Sequence, residues 1–334
     1  MWLDGFVESI VPPPSPWHLV AQQIMALCLQ EGGTSRQDWH RWLGSLPVLK
    51  RLDATIFGEI INFMREERIL EEDSGVFWLG ATGEKLFGRR HFSNLVTSFT
   101  APLLIDVRYG RTELGQIDPV TLRTRSGKPP VFALAGRAWL AKHIDWSARL
   151  CWVEPADQSG HSRWLGTTRA AHFELCQGVQ RIIVEGLREK HLSRRGAEAL
   201  SQIRENFMWC RPEGTALIWG SRDTACWWTF AGARANAVLA AGLNSAGCSV
   251  INSDNFGIRL QMNQSESLAN AIRAFPDVAA ILVPAPERLA SELKFNECLP
   301  RHLVNTIVSE RQSDVSGAKR ILAMHLDTIS KASS

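Results

Sequence analysis

The amino-acid sequence predicts an α+β fold built from three successive kinds of segment. Apolar residues recur at helical spacing from Trp17 onward, and this stretch ends in two short strands around a Ser74-Gly75 turn. Between residues 92 and 169 the pattern changes to short alternating stretches rich in β-branched and aromatic residues. Helical spacing returns after Ala170, mixed with further strands. We therefore expect a winged helix, a small antiparallel β-barrel and a mixed α/β C-terminal domain, in that order.

The domain boundaries follow from these changes of pattern. Residues 1–15 form an extended lead-in, because the prolines of VPPPSP (11–16) fix φ and disfavour helix before them. The predicted winged helix covers 16–91, the barrel 92–169 and the C-terminal α+β domain 170–334.

Local capping signals place the helices of the first domain. The segment EGGTS (31–35) ends the first helix, and Ser35 with Asp38 caps the second. Asp53 caps a third helix, whose inner face we expect to carry Ile56, Ile60 and Phe63. Three helices and a hairpin are the elements of a winged helix.

The third helix and its hairpin are strongly acidic. Residues 53–84 have a local charge of −6, because eight carboxylates stand against Arg65 and Arg68. Phosphates repel such a surface, so we expect the winged helix to dock on a protein rather than to read DNA bases. The carboxylates are Asp53, Glu59, Glu66, Glu67, Glu71, Glu72, Asp73 and Glu84.

The predicted barrel is the basic part of a chain whose total net charge is only +3. Residues 85–150 carry eleven Lys or Arg against four Asp or Glu, a local charge of +7. Such a surface attracts phosphates, although a merely solvated basic face would have the same composition. The candidate phosphate-contacting residues are Arg89, Arg90, Arg123, Arg125, Lys128, Arg137, Lys142 and Arg163.

Trp139 is the candidate for stacking on an unpaired base. The chain has thirteen tryptophans and one tyrosine, and in a basic context an exposed Trp is well suited to stacking. Strand alternation puts Arg137 and Trp139 on the same face, but an ordinary core role for Trp139 stays open. Trp152 is predicted to pack in an apolar strand, and His143 to be a surface or packing residue.

Motifs for several enzyme classes are missing from the sequence. RSGKPP (125–130) lacks the second glycine of a phosphate-binding loop, and neither a DE-box pair nor HExxH, GxSxG or GxGxxG occurs. The seven cysteines are scattered, without metal-ligand spacing, and are expected to be reduced packing residues. Neither a signal peptide nor a membrane-spanning run is present, which predicts a cytoplasmic protein with no membrane partner.

Six stretches, in this order, resemble Lhr-like (large helicase-related) DEAD/DEAH superfamily 2 helicases. They are PWHLVAQQIMALCLQEGG (16–33), FWLGATGEKLFGRRHF (77–92), LAGRAWLAKHIDW (134–146), VEPADQSGHSRWLG (153–166), WWTFAGARANAVLA (227–240) and LKFNECLP (293–300).

The resemblance implies the part of such a helicase that follows its two RecA-like motor domains. It implies that the barrel of the family-specific domain grips single-stranded DNA, and that Trp139, in its AGRxW context, stacks on a base of the tracking strand. ATP and Mg²⁺ are expected only in a motor partner, since the segments that bind them are absent here. A separate subunit, a split or truncated helicase gene and a free-standing module all stay open.

Three functions are therefore open for this chain. The first is a module that binds single-stranded DNA or RNA while a RecA-like motor, in cis or in trans, docks on the acidic winged helix, in repair or antiphage defence. The second is a nucleic-acid-processing enzyme such as a base-excision glycosylase, with Glu154, Asp157 or Asp254 as acid or base. The third is a protein–protein adaptor, which burial of Trp139 would favour.

Overall fold

The computed structural model describes residues 5–50, 52–88, 90–97, 104–122, 129–157, 170–185, 192–220, 224–261, 265–275 and 277–329. The chain folds into two compact units. The main unit combines Met1–Phe99 with Ala170–Ser334, and the inserted unit is Thr100–Arg169. The class is α+β, as the sequence predicts.

The N-terminal part of the main unit is mostly helical, with a small three-stranded sheet. Its elements are α1 (Trp17–Glu31), β1 (Thr34–Ser35), α2 (Arg36–Leu43), α3 (Pro47–Lys50), α4 (Ala54–Glu66), β2 (Leu70–Asp73), β3 (Val76–Leu79), α5 (Ala81–Phe87) and α6 (Ser93–Val96). The strand order is β1-β3-β2. Three of the helices and the β2–β3 hairpin lie where they were predicted, while the assignment of this part to the winged-helix class stays a prediction.

The predicted caps and turn are present. Gly32 ends α1 in the left-handed conformation. The Ser35 backbone N–H donates to the Asp38 carboxylate at 3.0 Å, and the Asp38 N–H donates to Ser35 Oγ at 3.2 Å. Asp53 accepts from the Thr55 N–H and caps α4. Ser74 and Gly75 both have positive φ, as a tight hairpin turn requires.

The inner face of α4 differs in part from the prediction. Ile60 is fully buried as expected, together with Ile61 and Met64. Ile56 and Phe63 are only half-buried. The buried face of α4 is therefore shifted by about one residue from the predicted face. The helix packs against the core with Ile60, Ile61 and Met64.

The inserted unit is a five-stranded sheet curled into a half-barrel. Its elements are β4 (Ile105–Tyr109), β5 (Thr112–Ile117), a 3₁₀ helix (Pro119–Leu122), β6 (Val131–Leu134), β7 (Arg137–Asp145) and β8 (Leu150–Pro155). The strand order is β5-β4-β8-β7-β6. One strand pair differs from the predicted antiparallel barrel, because β4 and β8 pair in parallel. The β6–β7 hairpin lies between them in the chain, so β8 is the strand that reaches the side of β4.

The C-terminal part of the main unit surrounds a second five-stranded sheet, of order β11-β12-β10-β9-β13. Its strands are β9 (Gly214–Trp219), β10 (Thr224–Trp228), β11 (Ser249–Ser253), β12 (Gly257–Gln261) and β13 (His325–Ile329). Its helices are α7 (Phe173–Glu185), α8 (Arg194–Asn206), α9 (Ala233–Ser245), α10 (Ser265–Arg273), α11 (Glu287–Glu292), α12 (Arg301–Arg311) and α13 (Val315–Leu322), with 3₁₀ turns at Val278–Ala280 and Asn296–Cys298. A hairpin turn that contains Asp254 and Asn255 joins β11 and β12.

One hydrophobic core joins the two ends of the chain. It contains Ile24 and Met25 of α1, Phe77 of β3, and also Leu303 and Ile307 of α12. The first helices and α12 therefore complete one core within the main unit, although the sequence pattern assigned them to separate domains.

All seven cysteines are free, and five of them are buried. Burial raises the pKa of the Cys28 thiol to about 12 and that of Cys151 to about 11. Buried, protonated thiols are poor nucleophiles, which agrees with a packing role. In the described part of the chain no helix has the length and apolar character needed to cross a bilayer.

Candidate nucleic-acid interface

The inserted unit separates an apolar inner face from a polar outer face by strand alternation. Among the described residues of this unit, the inner face forms a core of nine buried residues, which include Val107, Phe132, Trp139, Cys151 and Val153. The residues between them along each strand point outward. The outer face is therefore where this unit offers side chains to a ligand.

A row of three side chains crosses the middle of that outer face. Strand register pairs Arg108 of β4 with Trp152 of β8, and pairs Trp152 with His143 of β7. The His143 and Trp152 rings lie 5.4 Å apart at an angle of 36°. Arg108 and His143 are exposed, and Trp152 is half-buried. We call Arg108, Trp152 and His143 the outer row.

A bulge in β7 supplies one more cation beside the outer row. The register shifts between Ala141 and His143, which leaves Lys142 without a paired residue on β8. Its Nζ lies 3.2 Å from the Glu154 carboxylate, and both side chains are about half exposed. An exposed pair of this kind exchanges readily with another anion.

Trp139 is a core residue, so the predicted stacking position has to be corrected. Its side chain is only 4% exposed, and its Nε1 donates to the Leu134 carbonyl at 3.0 Å. Tyr109, which is 46% exposed, lies against its ring at 5.5 Å between centroids. Alternation does put Arg137 and Trp139 on one face, but that face is the inner one. A base has no open ring face of Trp139 to stack on in this conformation.

The other predicted cations are spread over both units. Arg137 and Lys142 are exposed on β7 of the inserted unit, and Arg90 is exposed in the main unit after α5. Arg89, Arg123, Arg125, Lys128 and Arg163 lie outside the described residues.

The charge of the inserted unit is uneven along its sequence. Residues 100–169 contain ten Lys or Arg and six Asp or Glu, a net charge of +4. The described residues contain five of those cations and all six carboxylates. The excess positive charge therefore belongs to the segments 123–128 and 158–169.

The carboxylates considered as catalytic residues have structural or exposed positions. Glu154 pairs with Lys142, and the Asp254 carboxylate accepts from the Phe256 and Gly257 N–H groups at 2.8 and 3.0 Å. Asp157 is exposed at the end of the described part of the inserted unit. None of them lines the cavities around Trp227 and Trp39 that the described residues enclose. Within the described residues no group of three His, Cys, Asp or Glu is placed to hold a metal ion.

Two carboxylates of the acidic segment 53–84 are paired with arginines of the same segment. Arg65 pairs with Glu72 at 3.3 Å, and Arg68 with Glu71 at 3.8 Å. Glu66 and Glu67, at the end of α4, are exposed. The end of α4 and strand β2 together form an acidic surface.

The outer row was missed by the sequence analysis, although the signal for it was present. In LCWVEP the buried Cys151 and Val153 flank Trp152, and in IDVRY the buried Ile105 and Val107 precede Arg108. Alternation alone therefore points Trp152 and Arg108 outward. That β4 lies beside β8 is not contained in any local pattern.

Comparison with known proteins found no matching family model, no matching curated protein and no matching solved structure. The resemblance to Lhr-like helicases therefore stays a prediction.

Proposed function

We propose that the inserted unit binds single-stranded nucleic acid, with the outer row as the contact surface. The observation that carries the proposal is the alignment of Arg108, Trp152 and His143 across three neighbouring strands. An aromatic ring between cationic or polar donors suits a base with its adjoining phosphates.

The proposal changes the residue that stacks but keeps the type of ligand. Trp152 has the partial exposure that Trp139 lacks, and the exposed Arg108 side chain beside it suits contact with a phosphate. The net charge of +4 over residues 100–169 supports the same ligand. Binding through phosphates and stacking predicts strong salt dependence and little sequence preference.

The N-terminal part has a different proposed partner. Its acidic surface at the end of α4 and on β2 repels nucleic acid, so it suits docking on a basic protein surface. In keeping with the resemblance, we propose that this partner is a RecA-like helicase motor, in cis or in trans. The motor would supply the ATP hydrolysis for which this sequence has no motif.

The test is fluorescence anisotropy with labelled single-stranded dT20, rU20 and a DNA duplex, at several salt concentrations. Trp152→Ala is expected to weaken single-strand binding by about 1–3 kcal/mol. Arg108→Gln is expected to lower the salt slope by about one phosphate contact. Trp146→Ala, which removes a 51% exposed Trp in the turn after β7, is the matched control and should bind like the wild type.

Two outcomes would count against the proposal. If Trp152→Ala folds, as judged by circular dichroism, and binds as well as Trp146→Ala, the outer row is not the contact surface. If no oligonucleotide binds at any salt concentration, the adaptor function is selected instead. The burial of Trp139 is the specific observation that favours this second candidate.

A further inference from the structure

The C-terminal part of the main unit contains a cavity of about 410 Å³. Its floor is the sheet, at Thr215 of β9, Trp227 of β10 and Leu326 of β13. Its walls are the ends of α10 and α13 and the turn that leads into β13. The volume is within the range of sites that hold small organic molecules.

Trp227, which lines the cavity, has an indole N–H without an acceptor among the described residues. Trp227 is 1% exposed, and its Nε1 has no hydrogen-bond partner in the described part of the chain. A buried donor without an acceptor costs about 1–3 kcal/mol, so such groups are normally paired. The indole nitrogen is a donor only, and the missing partner must therefore be an acceptor.

The ionisable groups around the cavity are basic. Arg273 and His325 line it, and none of the described lining residues is acidic. Arg273 is exposed at the end of α10 and forms no ion pair with a described residue. The nearest acid on β13, Asp327, is paired with Arg211 and His325, each at 3.3 Å. The rim thus has a guanidinium available for an anion.

We infer that this cavity binds a small organic anion with an apolar body. The apolar part lies against Phe275, Ile321 and Leu322, and the anionic group faces Arg273. The site belongs to the main unit and does not depend on nucleic-acid binding by the inserted unit.

The experiment is a titration of the full chain with 1-anilinonaphthalene-8-sulfonate, an apolar anion that fluoresces when bound. Saturable binding at one site is expected, and Arg273→Gln should weaken it roughly tenfold, because a charge-assisted contact is lost. Arg259→Gln, which removes an exposed Arg from β12 of the same unit, is the matched control and should leave binding unchanged.

A competition experiment tests the charge of the ligand. 2-Naphthoate should displace the dye, whereas the neutral 2-naphthylmethanol should compete at least about tenfold less well. Equal competition by the two compounds would overturn the proposal, as would an Arg273→Gln variant that binds the dye like the wild type. Loss of the signal in Phe92→Ser would instead locate the dye in the apolar groove beside α1, and the proposal would fall.

Discussion

Replacing Trp139 by alanine distinguishes a core residue from a stacking residue. The indole is 4% exposed in a core of nine buried residues, so the variant removes almost the whole side chain from the interior of the inserted unit. Such a change costs about 3–5 kcal/mol. The lost bond from Nε1 to the Leu134 carbonyl adds about 1 kcal/mol. We expect the total loss of unfolding free energy to be close to the whole stability of a small unit.

Hydrogen exchange read by mass spectrometry is the suitable assay, because it assigns stability to each unit of the intact chain. Trp139→Ala should speed exchange in peptides from β6, β7 and β8 and leave the main unit unchanged. Trp146→Ala, in the same unit but 51% exposed, should change stability by no more than about 0.5 kcal/mol. If Trp139→Ala exchanges like Trp146→Ala while its single-strand affinity falls, Trp139 is a stacking residue and not a core residue.

Two predictions concern the main unit. Desolvation, and then the Arg311 charge 3.1 Å away, lower the pKa of His18 to about 4. The unfolded chain therefore binds a proton that the folded state excludes between about pH 6.5 and 4, and acidification through this window should remove up to about 3 kcal/mol. Asn236, fully buried, accepts from Thr229 Oγ1 at 2.6 Å and donates to the Asp254 carbonyl at 2.8 Å. Asn236→Ala should therefore destabilise the unit by about 3 kcal/mol. Urea unfolding followed by exchange of main-unit amides measures both.

The His18 and Asn236 predictions each have a control variant. His18→Gln should show a smaller loss of stability between pH 7 and 4 than the wild type, and an identical loss would contradict the assigned pKa. Asn206→Ala, on the exposed face of α8, should stay within about 0.5 kcal/mol of the wild type. If Asn236→Ala behaves the same way, the buried network does not stabilise the turn before α9.

The elements that sequence reasoning located are those with local signals. Ser35 with Asp38, Asp53, and the Ser74-Gly75 turn act within three or four residues, and the structure has a cap or turn at each. Pairings between distant segments have no such signal. Neither the parallel contact of β4 with β8 nor that of β13 with β9 was predicted.

For the candidate site, too, the sequence pattern does not contain the contacts between distant segments. Alternation correctly grouped Arg137 with Trp139, but which face of β7 is covered depends on how the whole sheet curls. The outer row needed the further fact that β4 and β7 flank β8. Residue type favoured Trp139 as the stacking residue, but Trp139 is buried, and Trp152 is the residue that we propose in its place.

The core shared by α1 and α12 has a consequence for synthesis of the protein on the ribosome. Leu303 and Ile307 pack against a core begun by Ile24 and Met25, and roughly 270 residues separate the two helices in the chain. At an elongation rate of about 5–20 residues per second, α12 is synthesised on the order of 15–50 s after the first helices that it covers. During that interval their apolar faces are open to chaperones and to other nascent chains, and a stop codon before α12 would leave them open permanently.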